Sequence, residues 1–145
     1  MFQTITLENY SDAFLLQETC HQFPWSEKVF VDCLTEPYFC EHLLVDGKVT
    51  GYYVGLLAAV EATLMDIGIA EQARGQGHGR KLLERFIEQC ESRKALDCWL
   101  EVRASNAAAL HLYRSYEFEL IETRKNYYPA DSGREDALIM KKILA

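Results

Sequence analysis

The sequence lacks the features that mark several large classes of protein. No apolar run approaches 18 residues without a charge or a glycine, so no membrane span is expected. The five cysteines form no Cys-x-x-Cys pair, and the four histidines lack the spacing of metal ligands. We therefore expect no metal, and thiols that stay free in a reducing cytoplasm. The N-terminus also lacks the basic and apolar segments of a signal peptide.

An excess of basic residues is also missing. The chain has 22 acidic residues against 15 lysines and arginines, which gives a formal net charge of −7. This balance argues against a general nucleic-acid binder and is compatible with a cationic substrate. Because the acidic residues are dispersed along the chain, the default interpretation is that they only form a solvated surface. With 145 residues, 49% of them hydrophobic, the chain is expected to form one domain over residues 1–145.

The apolar pattern predicts about seven strands and four helices in the order β-α-α-β-β-β-α-β-α-β-β. Strands are expected over residues 2–7, 39–45, 48–59, 62–69, 97–103, 117–123 and 136–142, and helices over residues 12–20, 27–35, 79–94 and 107–115. Ser11 and Ser26 are the expected helix caps, and residues 124–135 the expected last loop. Early hairpins and later crossover helices indicate an α/β (α+β) fold, with a mixed sheet covered by helices on both faces.

The most informative stretch is LMDIGIAEQARGQGHGRK, residues 64–81, which reads as a strand, a glycine-rich loop and a helix start. A helix start offers free N–H groups and partial positive charge, and glycines let an anion approach them. Neither the P-loop pattern nor Gly-x-Gly-x-x-Gly fits, whereas Arg74, Gly77 and Gly79 form Arg-x-x-Gly-x-Gly. The stretch predicts a phosphate or pyrophosphate site, with a simple connecting turn as the alternative.

A second pattern is WLEVRASNAAALHLY, residues 99–113. Glu101 is an acid in the middle of an otherwise apolar strand, so it is either a base beside a substrate or a solvated carboxylate paired with Arg103. Asn106 is the expected cap of the next helix, and Tyr113 lies two turns along that helix. A tyrosine at such a place is either part of the core or part of a site.

Together these patterns resemble one family. Arg-x-x-Gly-x-Gly resembles the acyl-CoA pyrophosphate loop of the GNAT superfamily of N-acetyltransferases, and Asn106-x-x-Ala109-x-x-x-Tyr113 resembles its second signature. FPWS, WLEVRASNAAA, RKNYYP and GREDALIM further resemble the RimI type, bacterial enzymes that acetylate the N-terminal alanine of small-subunit ribosomal protein eighteen. The resemblance implies the GNAT fold, with a V-shaped splay between the two central parallel strands, and acetyl-CoA as co-substrate.

The resemblance also implies roles for individual residues. Glu101 would be the general base and Tyr113 the general acid. The implied cofactor contacts are Ile67, Gly68, Ile69, Arg74, Gly75, Gln76, Gly77, His78, Gly79, Arg80 and Asn106. Trp25, Tyr127 and Tyr128 are candidate substrate contacts, with plain packing as the alternative for all three.

The implied partner is a protein N-terminus, with no direct contact to nucleic acid or membrane. Alternative acceptors are lysine side chains and small-molecule amines, and a catalytically weak acyl-CoA-binding module is the alternative outside enzymes. The oligomeric state and the range of accepted N-terminal residues stay open.

One position departs from the family pattern. Many members have a glycine before the phenylalanine that follows the second signature, but here Glu117 precedes Phe118. A non-glycine residue at positive φ costs on the order of 1 kcal/mol. We therefore expect either a differently built turn or local strain at the end of that helix.

Overall fold

The computed structural model describes residues 1–131 and 133–145, and these form seven β-strands and four α-helices. The strands are β1 (Phe2–Thr4), β2 (Tyr38–Val45), β3 (Lys48–Ala58), β4 (Glu61–Ile69), β5 (Asp97–Arg103), β6 (Glu119–Ala130) and β7 (Gly133–Ile143). The helices are α1 (Ser11–Cys20), α2 (Glu27–Asp32), α3 (His78–Ser92) and α4 (Ala107–Ser115), with a 3₁₀ turn at Glu71–Ala73. Among these described residues no helix is long and apolar enough to cross a membrane.

All seven strands form one sheet in the order β1-β2-β3-β4-β5-β7-β6. Among the strand pairs of the described residues only β4–β5 is parallel, because α3 connects these two strands as a crossover. The other neighbours are antiparallel, and the Asp46-Gly47 turn joins β2 to β3. The predicted mixed sheet is confirmed.

Helices cover both faces of the sheet, and each face has its own core. On one face α3 and α4 pack on the sheet through residues such as Leu82, Phe86 and Leu110. On the other face α1 and α2 pack through Ala13 and Phe30. The two faces are called the α3 face and the α1 face below.

Two expectations about local structure are wrong. Ser11 is the first residue of α1 rather than its cap, and the cap position, Tyr10, makes no side-chain capping bond. The predicted loop at residues 124–135 is mostly strand, because β6 continues to Ala130 and turns into β7. Pro129 does not end β6, since β6 is an edge strand and an edge tolerates a residue without an N–H donor. The Ser26 cap is confirmed by its bond from the Val29 N–H.

The splay follows from the pairing of β4 with β5. The parallel register runs from Glu61 opposite Asp97 to Leu64 opposite Leu100, and there it stops. Beyond that point β4 pairs with β3 alone and β5 with β7 alone. A gap therefore opens between the carboxyl-terminal halves of the two central strands, as the family resemblance implied.

A β-bulge in β4 lies at the start of this gap. Val54 of β3 is opposite Asp66 and Gly55 is opposite Leu64, which leaves Met65 without a partner. The extra residue reverses the alternation of side chains. Leu64 thus belongs to the core of the α3 face, whereas Asp66 points to the α1 face, where it contacts Tyr52.

The turn at the end of α4 shows how the chain accommodates Glu117 in place of the usual glycine. Phe118 N–H donates to the Tyr113 carbonyl and Glu117 N–H to the Arg114 carbonyl, which is the Schellman arrangement usually closed by glycine. Glu117 adopts a φ of 68°, so the turn is the ordinary one with a strained residue in it.

The Glu117→Gly substitution should therefore stabilise the protein, by about 0.5–1 kcal/mol. The ion pair that is lost, at 3.8 Å from Lys142 with an 88% exposed Glu117 side chain, contributes little. Urea unfolding measures the free-energy change. Glu117→Gln keeps the backbone strain and removes the charge, so it should leave stability unchanged; equal gains in both variants would refute the strain argument.

Candidate active site

Glu101 lies where the central strands separate. It is the first residue of β5 after the last parallel pair, Leu64 with Leu100. Because Leu100 and Val102 belong to the core of the α3 face, alternation puts Glu101 on the α1 face. Its carboxylate accepts a bond from the Tyr128 hydroxyl at 2.8 Å and lies 3.4 Å from the Arg124 guanidinium. Its side chain keeps 34% of its surface exposed, so an incoming amine has access to it.

Arg103 is not the partner of Glu101. The Arg103 guanidinium bonds to the Glu135 carboxylate at 2.8 Å and to the Pro129 carbonyl at 2.9 Å. The expectation of a Glu101–Arg103 pair is therefore wrong. Residues two apart on a strand lie on the same face, but here the Arg103 guanidinium is directed to other partners. The bonds of Arg103 instead fix the β6–β7 hairpin to β5, and thereby bring Tyr128 to Glu101.

Tyr113 is buried on the α3 face, with 5% of its surface exposed. It stands on α4, which begins at the Asn106 cap, where the side-chain oxygen accepts from the Ala109 N–H at 3.2 Å. Its ring packs against Phe118 with ring centroids 5.9 Å apart. Burial, together with the charge of the Asp66 carboxylate, raises the pKa of Tyr113 to about 12. Its hydroxyl is therefore held in the protonated form, as a general acid requires.

The glycine-rich loop ends in an open helix start. Gly77 is the cap residue of α3, with a φ of 82°, and Gly75 has a φ of 77°. A Cβ on either glycine would meet no atom within 4 Å, so the outer side of the loop is free space. The first N–H groups of α3 have no acceptor in the helix and carry its partial positive charge. The loop is thus built to receive an anion.

Basic and polar side chains flank this loop. Arg80 donates to the Tyr116 hydroxyl at 3.3 Å, and Arg74 reaches back to the Ile69 carbonyl at 3.4 Å. Gln76 donates to the Gln72 carbonyl. His78 is buried, and its Nδ1 has no hydrogen-bond partner in the described structure. These contacts place the side chains around the loop.

The strand positions Ile67, Gly68 and Ile69 line the β4 side of the gap. Because β5 no longer pairs here, the gap-facing backbone groups of this segment are free of sheet bonds to β5. Gly68 allows the Tyr52 ring to lie against β4, since a Cβ there would come within 2.6 Å of that ring. Strand backbone with such free groups is able to bond to a chain that carries amide groups, as it does to a neighbouring strand.

Residues 7–118 match the sequence profile of the acetyltransferase (GNAT) family. The chain belongs to the GNAT family. The ribosomal protein bS18-alanine N-acetyltransferase of Escherichia coli K12 is 44% identical over 128 residues, which cover 88% of this chain and 86% of that protein. The Salmonella typhimurium enzyme of the same name is 40% identical over 140 residues, covering 94% and 95%. The resemblance to the RimI type is confirmed.

Solved GNAT structures agree with this assignment. The crystal structure of the Escherichia coli ribosomal-protein-S18-alanine N-acetyltransferase matches with a TM-score of 0.96 and 39% identity, covering 100% of this chain and 94% of that chain. A GNAT acetyltransferase from Elizabethkingia anophelis with acetyl-CoA bound shares the fold at a TM-score of 0.83 and 21% identity, covering 99% and 97%.

The three candidate substrate contacts differ in their surroundings. Tyr127 and Tyr128 lie in β6 rather than in a loop, with ring centroids 5.2 Å apart. Tyr128 is half-buried and bonds to Glu101, whereas Tyr127 is 43% exposed beside the Arg124 guanidinium. Trp25 is half-buried before α2, and its backbone N–H donates to the Gln17 side-chain oxygen at 2.9 Å. A role in substrate binding stays a prediction for all three.

Sequence reasoning missed a polar cluster beside the gap of this GNAT domain. Asp66 is buried on the α1 face, where the Tyr52 hydroxyl donates to it at 2.7 Å and His21 Nε2 lies 2.6 Å away. Tyr52 is fully buried, and burial, together with the Asp66 carboxylate, raises the pKa of its hydroxyl. The available signal in the sequence was an acidic residue, Asp66, within the apolar strand β4. Only the bulge shows that its side chain lies on the α1 face of the sheet.

Proposed function

We propose that this protein transfers the acetyl group of acetyl-CoA to the N-terminal α-amine of a protein, namely the N-terminal alanine of small-subunit ribosomal protein eighteen. The observation that carries the proposal is the 44% identity to a curated enzyme with that acceptor over 88% of the chain. The position of Glu101 at the apex of the splay supports it. Such an acceptor places the reaction in the cytoplasm.

Acetyl-CoA is the donor in this proposal. The pyrophosphate lies at the start of α3, against the N–H groups of residues 75–80 and near Arg74 and Arg80. The pantetheine arm lies in the gap and pairs with the backbone of Ile67, Gly68 and Ile69, while Asn106 contacts it at the start of α4. The end of the β4–β5 pairing at Leu64 and Leu100 supports this course, because Glu101 is the next residue of β5 and Ile67–Ile69 lie further along β4.

Glu101 acts first in the proposed reaction. An α-ammonium group has a pKa near 8, so at pH 7 it is mostly protonated and must lose a proton before nitrogen can attack. Glu101 accepts this proton, directly or through a water molecule. The nitrogen then forms a bond to the thioester carbonyl carbon, and an N–H of β4 stabilises the oxyanion.

Tyr113 acts as the carbon–sulfur bond breaks. The electron pair of that bond leaves with sulfur, and the Tyr113 hydroxyl donates a proton to the departing thiolate. Glu101 passes its proton to solvent, the nitrogen releases its remaining extra proton to solvent, and Tyr113 is reprotonated from solvent. No covalent intermediate with the protein is needed, so none of the five cysteines has to act as a nucleophile.

Mass spectrometry on a single peptide tests the acceptor. The peptide begins with alanine, copies the N-terminus of the ribosomal protein and contains one internal lysine. After incubation with the protein and acetyl-CoA, fragmentation should place the added acetyl group on the alanine nitrogen. Acetyl on lysine would overturn the proposed acceptor, whereas no acetyl on either amine, together with acetyl transfer to a small amine, would assign the protein to the small-molecule acetyltransferases.

The Gly77→Ala substitution should weaken acetyl-CoA binding by about tenfold, because relief of the positive φ turns the backbone N–H groups away from the pyrophosphate. Calorimetric titration measures the dissociation constant. Gly47→Ala is the matched control, since Gly47 has a φ of 78° in the β2–β3 turn and also meets no atom within 4 Å. Both variants should lose about 1 kcal/mol of stability, and equal acetyl-CoA affinities would remove the loop from the donor site.

A further inference from the structure

The loop between α1 and α2, residues 21–26, is held at three points. His21 Nε2 lies 2.6 Å from an Asp66 carboxylate oxygen on β4. Gln22 Nε2 donates at 2.5 Å to Asp131, which follows β6. The Trp25 backbone N–H donates at 2.9 Å to the side-chain oxygen of Gln17, a buried residue of α1. A six-residue connection thus has fixed contacts with a central strand, the last hairpin and its own helix.

The contact with β4 depends on the bulge. Without the unpaired Met65, alternation would put Asp66 on the α3 face, out of reach of this loop. As it stands, Asp66 is 8% exposed and both of its oxygens have partners, since one faces His21 and the other accepts from Tyr52. A buried carboxylate with two close partners is a rigid anchor. Breaking either bond costs free energy, because it leaves a buried charge short of a partner in apolar surroundings.

The anchored loop lies on the same side of the sheet as Glu101. Asp66 and Glu101 both point to the α1 face, on the two strands that border the gap. The β6–β7 hairpin reaches both places, through Tyr128 to Glu101 and through Asp131 to Gln22. The loop therefore extends from β4 towards the hairpin across the opening that leads to Glu101.

We propose that His21 and Asp66 are positioning residues for the acceptor, a proposal that rests on the function proposed above. Their contact holds residues 22–26 as a preformed wall of the groove through which the protein N-terminus reaches Glu101. A preformed wall lowers the ordering entropy lost on binding, so its loss weakens acceptor binding. Neither residue exchanges a proton with the reacting atoms. A His21 variant retains the Asp66 carboxylate that acts on Tyr113, and therefore the chemical step is preserved in it once the acceptor is bound.

Amide hydrogen exchange tests the positioning of the loop without any acceptor. His21→Ala should speed exchange of the Trp25 backbone amide, which donates to the Gln17 side chain, by about tenfold, as one lost charged bond predicts. His21→Gln, whose amide is able to donate to Asp66, should restore slow exchange. His42→Ala is the matched control, because His42 Nε2 likewise lies 2.6 Å from a side-chain oxygen, that of Gln3, in the β1–β2 pair. Unchanged exchange in His21→Ala would overturn the proposal.

Steady-state kinetics with the alanine peptide tests the role in acceptor binding. His21→Ala should raise the peptide KM by about tenfold, with kcat and the acetyl-CoA dissociation constant within about threefold of the wild type. His21→Gln should restore the KM, and His42→Ala should leave it unchanged. A lower kcat at unchanged KM, or weaker acetyl-CoA binding, would overturn the positioning role. If the wild type does not acetylate the peptide, the proposed function fails, while the exchange comparison still decides whether His21 holds the loop.

Discussion

Tyr113→Phe should lower kcat by about a hundredfold or more, since a general acid contributes roughly 10²–10⁴ to a rate. The ring keeps its packing against Phe118, so the substitution removes only the hydroxyl that we propose protonates the departing thiolate. The acetyl-CoA dissociation constant should stay within about twofold of the wild type, because in the proposed mechanism the Tyr113 hydroxyl acts in the transition state rather than on the bound substrate. Stopped assays of peptide acetylation and calorimetric titration together separate the two effects.

The control for Tyr113→Phe removes another tyrosine hydroxyl at the opposite end of the sheet. Tyr38 begins β2, where it pairs with Leu56 of β3, whereas the β4 side of the gap pairs with residues 51–53. Tyr38→Phe should leave kcat unchanged. Equal losses of activity in the two variants would mean that the effect of Tyr113→Phe is not a loss of acid catalysis.

The raised pKa of Tyr113 gives a second test of the same role. An unperturbed tyrosine with a pKa near 10 would begin to lose its proton at about pH 9, and the rate would then fall. Burial and the nearby Asp66 carboxylate raise the pKa of Tyr113 to about 12, so the acid stays protonated and kcat should hold through about pH 10. A decline centred near pH 10 would contradict the protected environment of this hydroxyl.

The elements around the site follow closely from the sequence, because their signals are local. Strand β5 and helix α4 have the predicted bounds, since the apolar alternation of residues 97–103 and the cap at Asn106 each depend on adjacent residues only. Helix α3 begins one residue before the expected start and ends at Ser92 rather than near residue 94, which is a normal error at helix ends.

The features that decide side-chain orientation required the structure. The bulge at Met65 cannot be read from β4 alone, because it is a property of the register with β3. The long β6 was also missed, since Pro129 is typical of a loop in sequence. In the structure Pro129 is accommodated in an edge strand, and the register with β7 shifts between Arg124 and Tyr128, where Asn126 takes a positive φ. Both features depend on the register with the adjacent strand, which the residues of one strand alone do not specify.

The partners of Glu101 show the same limitation. The sequence indicated an acid on an apolar strand, yet its contacts come from β6, 23 and 27 residues further along the chain. Two arginines, Arg103 and Arg124, are candidate partners of the carboxylate. Arg103 pairs with Glu135 of the hairpin, so Arg124 is the arginine that pairs with Glu101. Only the fold thus shows that Tyr128, a candidate substrate contact, also orients the proposed base.

Glu101→Gln should lower kcat by about tenfold to a hundredfold at pH 7, and by less at pH 9. The difference follows from the acceptor, because an α-amine with a pKa near 8 is mostly neutral at pH 9 and then needs no base. Glutamine retains an acceptor for the Tyr128 hydroxyl, so the local packing is preserved, and acetyl-CoA affinity should be nearly unchanged. The measurement is the pH profile of kcat for the alanine peptide.

Glu122→Gln separates base catalysis from the general effect of removing a negative charge. Glu122 lies 3.3 Å from the same Arg124 guanidinium, at 59% side-chain exposure, so its substitution alters the same ion-pair group away from the gap. Its kcat should match the wild type at both pH values. If Glu122→Gln showed the same loss, the field of the carboxylates on Arg124 would explain the effect, and unchanged turnover in Glu101→Gln would remove Glu101 from the role of base. A loss confined to Glu101→Gln that shrinks as the amine deprotonates is the result that only a proton acceptor at this position explains.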